Sequence, residues 1–100
     1  MIYGPFAPRY GAGQTVATAV TSASTTIGAG SKCVRLQNLD GTNSIYVRTS
    51  LGASTATTAD LLLRPNQVII IQKDQDFDTV SHIASAATPN LRIEPGEAGI

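Results

Sequence analysis

Residues 32–49 read KCVRLQNLDGTNSIYVRT. Val34 and Leu36 fall on one side of an extended chain, with Cys33, Arg35 and Gln37 on the other. Ile45 and Val47 then alternate with Tyr46 and Arg48. A period of two is the pattern of a half-buried strand. Asp40-Gly41 lies between the two runs, with Asn43 close behind, and supplies turn chemistry. The expectation is a β-hairpin closed by an Asp-Gly loop.

The same pattern extends downstream. LGASTATTAD at 51–60 is a polar connection, and Arg64-Pro65-Asn66 reads as a tight turn with proline at its second position. VIII at 68–71 is a continuous β-branched run, which suits a strand buried on both faces or one lying in an interface. TVSHIA at 79–84 is a further strand. Leu91 and Ile93, with Arg92 and Glu94 between them, form the last strand, ended by Pro95-Gly96. Upstream, residues 15–20 have strand residue types, and the many threonines and glycines of 14–31 disfavour a helix. About six or seven short strands at roughly ten-residue spacing predict an all-β chain. The expected fold is a small antiparallel β-sandwich, jelly-roll or Ig-like, spanning 14–100 as one domain.

Residues 1–13 form a separate unit. They hold Tyr3, Phe6 and Tyr10 among Pro5, Pro8, Gly4, Gly11 and Gly13. Proline excludes a helix or central strand here, and the rings carry large apolar area. An extended N-terminal arm is expected, docked on a partner or wrapped over its own core. The segment lacks the charged and apolar regions of a signal peptide, and the apolar runs are too short for a membrane span. Synthesis and assembly in a cytoplasm are expected.

Seven basic and seven acidic residues give no net charge, and the basic ones are spread singly. That disfavours nucleic acid and membrane surfaces as partners. A charged fraction of 14% is low for a soluble domain, so Ala, Ser and Thr must cover much of the surface. Such a surface is compatible with close packing against other chains.

Three places are candidates for chemistry. Asp74, Asp76 and Asp78 alternate, and His82 follows. A calcium loop that began at Asp74 would need glycine sixth and glutamate twelfth, where Thr79 and Ser85 stand. A looser calcium site is the alternative to a plain turn, and aspartate favours turns through its own backbone bonds. The residues suggest the turn, with Phe77 folding back as cover. Cys33 or a serine, His82 and Asp78 contain the residue types of a nucleophilic relay, but no nucleophile motif accompanies them. One histidine and one cysteine do not make a zinc site, and Cys33 reads as a structural thiol. GAGQT at 11–15 and GAGSK at 28–32 depart from the phosphate-loop pattern and read as bends. No catalytic residue, metal or cofactor is expected.

Three stretches carry a resemblance: KCVRLQNLDGTNSIYVRTSLG at 32–52, TTADLLLRPNQVIIIQK at 57–73 and FDTVSHIASAATPNLRIEPGEAG at 77–99. Their order of strands and turns resembles small structural proteins of tailed-phage virions, of the capsid decoration or cement type. Asn66 stands where such turns often have glycine, and residues 1–31 carry no resemblance. The resemblance implies a non-enzymatic virion protein, assembled in the host cytoplasm. Its partners would be the major capsid protein and sister copies, as a homo-oligomer such as a trimer. Tyr3, Pro5, Phe6, Arg9 and Tyr10 of the arm are then the expected partner-binding residues. The alternatives are a head–tail connector, a tail or fibre component, or a module that binds a glycan or host surface.

Overall fold

The computed structural model describes residues 6–8, 11–28 and 30–98. Among these residues there are nine strands and no helix: β1 (Phe6–Pro8), β2 (Gln14–Ala17), β3 (Ala23–Thr26), β4 (Cys33–Asn38), β5 (Ile45–Ser50), β6 (Leu61–Leu63), β7 (Val68–Gln72), β8 (Thr79–Ala84) and β9 (Asn90–Ala98). They form two antiparallel sheets packed as a β-sandwich. The first runs β1-β9-β4-β7, with β2 beside β1 on the same edge of β9, and the second runs β3-β8-β5-β6.

The pairings β2–β9, β3–β8, β4–β7 and β5–β6 describe one long hairpin whose tip is the 51–60 connection. The pairings β4–β9 and β5–β8 then roll that hairpin shut. A rolled hairpin divided between two sheets is the jelly-roll arrangement, so of the two expected sandwich types this one is observed.

The faces follow the alternation read from the sequence. Val34, Leu36, Leu91 and Ile93 of the first sheet meet Ile45, Val47, Leu63 and Val80 of the second in one buried cluster. Each such side chain contributes roughly 1.5–3 kcal/mol on burial. Arg35 and Glu94, on the outer face, pair at 2.6 Å.

Three expectations need correction. Residues 32–49 do not form a paired hairpin, because β4 and β5 lie in different sheets. Each already has a neighbour on both sides: β7 and β9 for β4, β6 and β8 for β5. The Asp-Gly loop is instead an arch between sheets, and its own side chains hold it. Asp40 Oδ2 accepts from the backbone and side-chain amides of Asn43, both at 2.9 Å. Asn38, fully buried, donates to Asn43 O at 2.7 Å and to Leu63 O at 3.2 Å, tying the first sheet to the second.

The second correction concerns 68–71. β7 is an edge strand, and its outer-face residues Val68 and Ile70 are 40% and 48% exposed. The run is therefore not buried on both faces. Ile69 and Ile71 pack on the core, and the other two face solvent.

The third concerns Pro95-Gly96, which does not end the last strand. β9 continues to Ala98. Its neighbour changes there, from β2, which ends at the Gln14–Ile93 pair, to β1, which begins at the Pro8–Gly96 pair. Pro95 falls in that gap, so its missing N–H leaves no ladder partner unsatisfied. The RPN turn is as expected: Gln67 N–H donates to Arg64 O at 3.0 Å. Asn66 has φ 62°, which makes it a type II turn.

Candidate functional site

The acidic stretch is the connection from β7 to β8. Asp74 O accepts from Phe77 N–H at 3.0 Å, and Asp74 Oδ1 accepts from Asp76 N–H at 2.9 Å. This is an Asx-type turn, held by its own carboxylate. Asp78 is used differently. Its Oδ1 accepts from Gly52 N–H at 3.0 Å and from the Thr79 hydroxyl at 2.9 Å. The Gly52 bond first, then the Thr79 bond, holds the Asp78 carboxyl below its ordinary value of 3.8. Among the described residues no group of three or more His, Cys, Asp or Glu is placed to hold a metal ion.

Lys73 anchors this turn. Its ammonium donates to the carbonyls of Ser31, Phe77 and Asp74 at 2.6, 2.7 and 3.3 Å. Backbone bonds from Ile27 to Asp78 and from Gly30 to Gln75 lie beside it. The lysine thus joins the β3–β4 connection to the β7–β8 turn.

His82 is 2% exposed and lies on the core face of β8, opposite Val47 and Ala23. Nε2 is 3.0 Å from the Thr25 hydroxyl, and Nδ1 has no hydrogen-bond partner among the described residues. Burial pushes its pKa below the ordinary 6.5, because charging the ring there forfeits solvation. The bonds of His82 and Asp78 run to Thr25 and to Gly52 and Thr79, not to each other. Cys33 is 3% exposed, between Gln72 and Gly96.

A serine cluster escaped sequence reading. Ser81, fully buried, shares hydroxyl contacts with Ser24 at 2.9 Å and Ser54 at 3.0 Å. Ser54 also bonds Ser50 at 3.0 Å, and Ser22 accepts from Ala56 N–H at 2.8 Å. These bonds lay the 51–60 connection over the outer face of the second sheet. Serines scattered from 22 to 81 give no local signal, since only the fold brings them together.

Of the expected partner-binding residues, Tyr3, Pro5, Arg9 and Tyr10 lie outside the described residues. Phe6 belongs to β1, whose backbone pairs with Ala98 of β9. The feature that stands out instead is β7, with one neighbour among the described residues and two exposed β-branched side chains on its outer face.

No protein-family model and no curated protein matches the sequence. Among solved structures, one described as "Bacillus endospore appendages form a novel family of disulfide-linked pili" is similar with a TM-score of 0.53 at 17% identity. The match covers 85% of this chain and 83% of that one. At that identity the similarity concerns the fold.

Proposed function

We propose that the chain is a non-enzymatic structural subunit that decorates or cements a tailed-phage capsid. Its partners in this reading are the major capsid protein and sister copies. The observation that carries it is the β7 edge, unpaired among the described residues, where Val68 and Ile70 stand 40% and 48% exposed without a charged residue or proline in the strand. Natural proteins usually blunt such an edge, so an unblunted one favours a chain that joins others. The turn-and-strand resemblance to virion proteins and the jelly-roll fold, which recurs in capsid proteins, support the same reading.

A second reading, a filament subunit, draws on the fold shared with an appendage protein over most of both chains. That neighbour is described as disulfide-linked. Here the one cysteine, Cys33, is 3% exposed on a strand paired on both sides, so a filament of this chain would be joined without it.

The test is sedimentation of the purified chain with capsid shells prepared without it. On the leading reading it pellets with the shells and saturates at a simple ratio to the shell subunit. A chain that stays in the supernatant, yet forms fibres alone, moves the assignment to the filament.

A further inference from the structure

The free edge of β7 has a defined hydrogen-bonding pattern. Asn38 N–H donates to Gln67 O at 3.0 Å, and Lys73 N–H donates to Lys32 O at 2.9 Å. Both lie in register with the β4–β7 ladder, so the odd-numbered residues of β7 turn their backbone groups toward β4. By the antiparallel alternation, Val68, Ile70 and Gln72 turn both N–H and C=O outward. Their side chains lie on the outer face, opposite Gln37, Arg35 and Cys33.

The other edges are less open. Pro8 and the interruption between β1 and β2 break one, β3 has four residues with the Thr26 carbonyl already accepting from Gln14 Nε2 at 2.9 Å, and β6 has three residues preceded by Asp60. β7 offers five residues with neither charge nor proline. An edge of this kind selects an extended strand as its occupant.

We propose that two copies of this chain pair β7 to β7, antiparallel, about a two-fold axis at Ile70. The two first sheets then join into one sheet. That register uses every outward group: Ile70 bonds Ile70 of the other copy, and Val68 bonds Gln72 in both directions. Shifting the axis to Val68 or Gln72 leaves some of these groups unpaired.

Symmetry selects the same arrangement. Ile70 is the middle of the three outward residues, so a second β7 run antiparallel presents the same pattern in reverse, as an isologous interface requires.

This inference rests on the assembling-subunit reading only for its context, and its test is separate. Sedimentation velocity of the full chain over a concentration series gives the oligomeric state. The wild type is expected to form a dimer, or a larger species built from dimers. Ile70→Pro removes an outward N–H at a position where the fold does not use it, so circular dichroism should stay native while association is lost. Ile70→Lys, on the exposed outer face, is the second variant if the proline disturbs folding. A monomeric wild type, or native dimers of both Ile70 variants, would each overturn the pairing. A monomer that still pellets with shells would leave the structural reading standing.

Discussion

Acid should destabilise this fold through His82. The ring is 2% exposed and its Nδ1 is unpartnered, so the folded state resists taking a proton. Its folded pKa therefore lies below the ordinary 6.5 that the unfolded chain shows. Above pH 6.5 both states hold a neutral ring and the contribution is complete. As pH falls below 6.5 the unfolded chain gains a proton that the folded chain refuses, and stability drops until the folded pKa is reached. The slope approaches about 1.4 kcal/mol per pH unit. At pH 5 the loss is about 2 kcal/mol at most, the limit in which the folded ring stays neutral. Asp78 does not contribute in this window. Its carboxyl is held below 3.8, so its stabilisation persists until the pH falls much further. The assay is urea denaturation at steps from pH 7.5 to 5, for the wild type and for His82→Phe. The variant loses some stability throughout, but its curve should be flatter between pH 6.5 and 5. Equal slopes for the two proteins would refute the argument, as would a wild type equally stable at both ends.

Other outcomes follow from the same contacts. Leu36→Ala, at a fully buried site, should cost about 2–5 kcal/mol, whereas Ile70→Ala, measured on the dilute protein, should cost under about 1 kcal/mol. Comparable losses at both would mean that the faces of β7 are misassigned. Asn38→Ala should cost about 1–3 kcal/mol, because its buried amide bridges the sheets and caps the arch at Asp40 N–H, read by thermal melting. At Asn66, where φ is 62°, Gly should be neutral or slightly stabilising, and Val should destabilise by about 1–2 kcal/mol in the same melts.

The strands were legible because their alternation is local. Val34 and Leu36 against Arg35, and Ile45 and Val47 against Arg48, sort by face wherever the strand pairs. Pairing itself was not legible. Asp40-Gly41 reads as a hairpin turn, yet the bonds of Asn38 and Asp40 make it an arch, and Asn38 does so by reaching Leu63, far along the chain. The 68–71 run is ambiguous for a related reason. Four β-branched residues signal a strand without saying whether its outer face has a neighbour, and here the described residues supply none. Pro95 was misread because proline forbids a ladder bond only where a partner strand is present, and sequence does not reveal the gap between β2 and β1. Among the candidate sites, the turn at Asp74 was readable from side-chain chemistry alone. The serine cluster and the three carbonyls around Lys73 were not, since each draws on segments far apart in sequence.

On the proposed reading a tailed phage encodes this chain, and the most direct test is quantitative mass spectrometry of its purified virions, counting copies of the chain against the major capsid subunit. The predicted ratio is near one or a simple fraction of it. Absence of the chain from the particles would contradict it.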